Sequence, residues 1–180
     1  MAPSGISWSD WIARLNRDLE ASFPFKVTPE QRLFLDNCAS AAKRANHPFP
    51  DMAACEAALE SRWGMSGLAK EANNLFGMKQ HQHPVYGTLL LPTKEFIHDH
   101  WIETQAAWVK YPTLDDCFAD RLDTLMRLAH VYPAYQAALQ AQTPEEFVTE
   151  VSKTWSTDRE RATKVILIYR QYVAQFEQPA

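Results

Sequence analysis

The chain has 180 residues and a formal net charge of −4, with 46% hydrophobic, 12% aromatic and 22% charged residues. That is the make-up of one ordinary globular domain, too rich in aromatic bulk for a disordered or fibrous chain. The acidic balance argues against a duplex nucleic-acid binder, which needs a basic face, and no apolar run approaches the ~18 residues of a membrane span.

Helix caps and prolines punctuate the sequence. Ser7 to Glu20 places Trp11, Ile12, Leu15 and Leu19 on one helical face, so a helical N-terminal extension is expected over 1–28. Thr28-Pro29-Glu30-Gln31 is a capping box with proline at the first helical position, opening a helix through Leu33, Phe34, Cys38 and Ala41 that ends before His47-Pro48-Phe49-Pro50. Asp51 is placed to cap an Ala-rich helix from Met52 to Ser61, and a short helix is expected around Ser66 to Glu71. Between Phe76 and Pro112 the helical period disappears, and Pro84, Gly87 and Pro92 interrupt the chain. Val85 to Leu91 and Gln105 to Tyr111 lean toward strands, so this segment reads as a small antiparallel sheet. Helices then resume. Thr113 caps one through Leu122, Leu125 and Leu128, Thr143 caps the next, and Ser156 or Thr157 with Asp158 starts the last, through Val165, Ile168 and Tyr172. The fold class expected is α+β, mainly α: one domain over 1–180, a helical body with a β-lobe over 76–112 inserted in the middle, and a cleft between them.

Cys38, Cys55 and Cys117 are odd in number and form no CxxC pair, which favours three buried thiols over a disulfide framework or a zinc ribbon. His81 with His83, and His98 with His100, have the i, i+2 spacing that shares one face of a strand; solvated or groove-lining rings are a better reading than a zinc site, and no metal or cofactor is expected. The residues from Met1 to Trp8 lack a basic segment followed by an apolar stretch, so a cleavable secretion signal is not expected here. No phosphate-cradling glycine loop and no Ser or Cys nucleophile motif is evident.

The informative stretch is Ala58-Leu59-Glu60-Ser61-Arg62-Trp63-Gly64, continuing through Ser66, Leu68 and Ala69 to Asn73-Asn74-Leu75-Phe76-Gly77-Met78-Lys79. Glu60 falls at the C-terminal end of a helix, where the dipole disfavours a carboxylate, and Trp63 beside it adds desolvation; both favour the protonated form that a general acid needs. As a whole the string, ALESxWGxSxLAxxANNLFGxK, closely resembles the glucosaminidase family of peptidoglycan hydrolases, glycoside hydrolase family seventy-three. The resemblance is strong over Ala53 to Lys79 and continues more weakly to about Tyr172.

It implies a lysozyme-like fold and cleavage of the β-1,4 bond after N-acetylglucosamine in bacterial cell-wall glycan, without a metal. Glu60 matches the family's general acid, and Trp63, Asn74, Phe76 and Trp155 are the expected substrate-binding residues. Asn73, Asn74 and Phe76 would also shape the loop and the cleft floor. The second carboxylate comes from the β-lobe, where Thr93-Lys94-Glu95-Phe96 makes Glu95 the first choice, with Asp99 and Glu103 as alternatives; inverting, retaining and substrate-assisted routes all stay open. Three departures stand out. Arg62 occupies a position where the family usually has a small residue, often glycine. Trp155 stands where a tyrosine is usual, and Arg161 falls where a second tyrosine often sits. Tyr132 and Tyr135 resemble a structural turn. The implied partner is peptidoglycan glycan, with action in the periplasm or the outer cell wall by a delivery route the sequence leaves open. A glycan-binding domain with weak catalysis, or a hydrolase of another N-acetylhexosamine polymer such as chitin, is the alternative.

Overall fold

The computed structural model describes residues 26–82, 84–97 and 100–174, with the backbone alone for 93–97 and 100–104. The helix expected from Ser7 to Glu20 lies outside the described residues, as do His83, His98 and Asp99. In chain order the elements are α1 (Pro29–Arg44), α2 (Pro50–Ser61), α3 (Gly67–Ala72), β1 (Gly87–Ile97), β2 (His100–Lys110), α4 (Leu114–Leu128), α5 (Pro133–Leu139), α6 (Pro144–Trp155) and α7 (Arg161–Val173).

Three threonines start helices where the sequence places them. Thr28, Thr113 and Thr143 each accept from the backbone N–H three residues on, and Gln31, Asp116 and Glu146 return the bond to the cap. Each box satisfies two of the donors a helix start leaves unpaired. Two other starts differ from expectation. Pro50, with its φ already helical, begins α2 one residue before Asp51, so Asp51 lies in the first turn and Phe49 is a cap without a side-chain bond. The final helix begins only at Arg161, because Ser156 and Asp158 fold the preceding segment into turns: Ser156 Oγ accepts from the Asp158 N–H, and Asp158 Oδ1 accepts from the Glu160 N–H. Tyr132 and Tyr135, read as a turn, cap and occupy α5, a seven-residue helix opened by Pro133 and too short to show a period.

Helix α2 is the axis of the helical body, in contact with α1, α6 and α7. Eight of its twelve residues are buried, from Met52 to Ser61, so it has no polar face to speak of. Its alanines make that possible, since small side chains let helices on several sides approach. Leu35, Cys38 and Ala42 of α1, Phe118 and Leu125 of α4, Phe147 and Val151 of α6, and Val165 of α7 complete the core. Cys38, Cys55 and Cys117 are free and buried, as expected; burial pushes the Cys117 thiol up to about 12.

The β-lobe is one antiparallel hairpin whose register pairs Gly87 with Lys110 and Ile97 with His100. Its strands run further than the sequence indicates. Pro92, an expected break, sits within β1 opposite Gln105, on a strand with one partner among the described residues, where a missing N–H is tolerated. On the other edge of β2, Lys79 bridges Trp108, and Val109 donates to the Met78 carbonyl. The loop after α3 therefore runs along the hairpin base and brings residues 76–81 to face the helical body.

Candidate active site

A groove of about 600 Å³ lies between that loop and the helices. Glu60 of α2, Phe76 to His81 of the loop, Thr124 and Arg127 of α4, Tyr135 of α5 and Trp155 at the end of α6 line it. Among the described residues Glu60 is the only carboxylate lining the groove, facing it beside Lys79, His81 and Arg127. Its side chain is 25% exposed at the end of an otherwise buried helix.

The chain turns sharply after Glu60. Arg62, Trp63 and Gly64 all have left-handed backbone, with φ of 54°, 59° and 74°. Ser61 Oγ donates to the Ala57 carbonyl at 2.6 Å and accepts from the Gly64 N–H at 2.8 Å, locking the turn. A Cβ on Gly64 would come within 2.8 Å of the Phe34 ring, so this position needs glycine for space as well as for φ. Trp63 packs edge-on against Phe34 at 6.3 Å between centroids and is not among the residues that line the groove.

The two asparagines hold the loop. Asn73 ends α3 in left-handed backbone, which asparagine tolerates, and its amide donates to the Tyr111 carbonyl at 3.1 Å. Asn74 is buried; its amide donates to the carbonyls of Met78 and Val109, both at 2.9 Å, and its Oδ1 accepts from the Met78 N–H at 2.9 Å. That side chain is fully engaged in joining the loop to β2. Phe76 and Trp155 form the aromatic walls. Between them lies Arg121, its guanidinium carbon 3.6 Å from the Trp155 ring centre and 5.1 Å from that of Phe76. Arg121 Nε and Nη1 have no hydrogen-bond partner, so the faces of the two rings offset their loss of water. Glu95 lies on β1 opposite Ile102, and Glu103 on β2 opposite Lys94; their side chains, with Asp99, are outside the described residues.

Sequence reasoning missed a buried charge network behind Glu60. Glu56, Arg121 and Arg161 are each 1% exposed. Arg161 donates to Glu60 Oε1 at 2.7 Å and to Glu56 Oε1 at 2.8 Å, while Arg121 donates to Glu56 Oε1 at 3.2 Å. Burial works against the charge on Glu56, but Arg121 and Arg161 outweigh it and hold its carboxyl below the usual range. Burial likewise pulls Arg161 down, and Glu56 and Glu60 more than reverse that. A signal existed: Arg161 precedes Val165, Ile168 and Tyr172 at helical spacing, and a charge on an apolar stripe implies a buried partner. Among the described residues no group of three or more His, Cys, Asp or Glu could hold a metal, and His81 lines the groove.

A helical body with an inserted hairpin and an aromatic-walled groove between them, in which Glu60 is the one carboxylate among the described residues, has the lysozyme-like architecture of a glycoside hydrolase domain. The chain belongs to the Glucosaminidase family, described as mannosyl-glycoprotein endo-beta-N-acetylglucosaminidase, which it matches over residues 36–174. It is 28% identical to the exo-glucosaminidase LytG of Bacillus subtilis over 163 residues, covering 88% of this chain and 57% of that protein. It is 26% identical to a probable N-acetylmuramidase of Lactococcus lactis over 81% of this chain and 35% of the relative, so it spans about half the length of such relatives or less. Among solved structures, the catalytic domain of the Listeria monocytogenes autolysin Auto superposes with a TM-score of 0.66 at 24% identity, covering 97% of this chain and all of that one. The glycoside hydrolase domain of Salmonella typhimurium FlgJ does so at 0.64 and 23%, covering 80% and 98%. At these identities the likeness speaks for the fold. Among the described residues no helix is long and apolar enough to cross a membrane.

Proposed function

We propose that this chain hydrolyses bacterial peptidoglycan at the β-1,4 bond after N-acetylglucosamine, with Glu60 as the general acid. The observation that carries the reading is the placement of Glu60: it is the only groove-lining carboxylate among the described residues, set beside Trp155 and Phe76. Glu60 delivers a proton to the departing sugar oxygen as the glycosidic bond breaks. Trp155 presents an apolar ring against which a sugar face can lie, and Lys79, Gln80 and Arg127 offer donors to its hydroxyl and acetamido oxygens. Glu95 is our choice for the second carboxylate, which assists water or the oxocarbenium-like transition state from the hairpin side. Names among the relatives, glucosaminidase and muramidase, support a wall glycan as substrate, and action in the periplasm or outer wall follows from where that polymer lies.

The test is mass spectrometry of soluble products from purified, borohydride-reduced peptidoglycan. Wild-type protein should release fragments whose new reducing ends are N-acetylglucosamine, and Glu60→Gln should lower the rate about 10²- to 10⁴-fold. New N-acetylmuramic acid ends would overturn the bond assignment. Retained glycan binding without release by the wild type would make the domain a binding module.

A further inference from the structure

The most deeply buried charges of the described residues lie directly behind the proposed acid. Glu56 and Glu60 are four residues apart on α2 and so share a face. One guanidinium from α7 reaches both, and its third nitrogen, Nη1, donates to Ser152 Oγ of α6 at 2.9 Å. Arg161 thus ties α2, α6 and α7 together with all three of its nitrogens engaged. A planar fork held at three points cannot turn without breaking a charge-assisted hydrogen bond. Glu56 keeps the fork in place from the far side, backed by Arg121. Stability does not account for such an arrangement, since apolar groups of equal volume commonly hold a core as well as a buried ion pair does. What the network adds is a fixed orientation for its one member that reaches the groove.

We infer that Arg161 is a positioning residue for Glu60: its Nε–H holds Oε1 from behind and so fixes the orientation of the carboxyl at the groove, and Glu56 with Ser152 holds Arg161 to that task. The inference rests on Glu60 being the proton donor. No proton passes through Arg161, which stays charged throughout.

The experiment compares wild type, Glu60→Gln, Arg161→Lys and Ser152→Ala on purified peptidoglycan, measuring kcat and KM separately alongside the thermal midpoint. Arg161→Lys keeps the charge near Glu56 but cannot span three partners; kcat should fall about 10- to 100-fold with KM within about twofold of wild type, the mark of a misplaced rather than missing acid. Ser152→Ala removes one anchor without burying a bare charge, so it should fold even where Arg161→Lys does not, and should lower kcat about 3- to 10-fold with KM unchanged. Wild-type kcat in folded Ser152→Ala and Arg161→Lys would overturn the inference. So would a rise in KM in step with the fall in kcat and thermal midpoint, which is the pattern of a purely structural role. Full activity in Glu60→Gln would instead sink the reading on which the inference rests.

Discussion

Arg62 sits at the C-terminal end of α2 in left-handed backbone with φ of 54°, where a side chain crowds the following carbonyl. The resemblance led us to expect a small residue there, and the structure gives the reason: the turn after Glu60 needs positive φ at three successive residues, and only Gly64 adopts it freely. Arg62→Gly should therefore stabilise the fold by about 1 kcal/mol, raising the thermal midpoint by roughly 2–4 °C in a calorimetric scan. A lower midpoint would mean that arginine makes contacts worth more than the backbone relief. Arg161 poses the opposite case. It stands where the resemblance implies a phenol, which both donates and accepts; a guanidinium only donates, and the structure supplies two carboxylates and a hydroxyl to receive it.

Among the elements, the hairpin is joined to the body through the loop after α3, and buried Asn74 bonds to both the loop and β2. Asn74→Ala leaves the Met78 N–H and two carbonyls near β2 without their partner in a buried place. We expect about 3 kcal/mol of lost stability, read by denaturant unfolding, with hydrogen exchange accelerated first along β2 and the loop over 76–81. Unchanged exchange there would show that the strand pairing alone holds the lobe. The threonine caps, the Ala-rich helix and the strand-leaning middle were legible because each is written in adjacent residues. α5 was not, being under two turns long, and neither was the late start of α7, where Ser156 and Asp158 serve turns instead of a helix. Glu60 was legible from its surrounding string. Its partners were not, because Arg161 lies 101 residues away and Glu56 in an alanine helix reads as a solvated charge.

For the fold taken together, acid is the condition to examine. His47 is buried against Phe147 and Phe49, with its Nδ1 accepting from the Phe49 N–H. Burial pushes its pKa down from 6.5 to about 4. The folded protein thus keeps His47 neutral while the unfolded chain takes up a proton below pH 6.5, so stability falls as pH drops from 6.5 toward 4. The loss is at most about 3 kcal/mol across that window, and His47→Gln should flatten it in urea titrations at each pH. Glu56, whose carboxyl is held below its ordinary 4.5, adds a further loss that begins as pH falls through about 4.5. A slope that persists in His47→Gln would assign acid sensitivity elsewhere. The wide separation of Glu60 from Arg161 has a consequence in time. A ribosome releases Glu60 long before Arg161, so the proposed acid has no guanidinium behind it until the last helix docks. A chain stopped before residue 161 should release no soluble fragments from peptidoglycan even where it collapses.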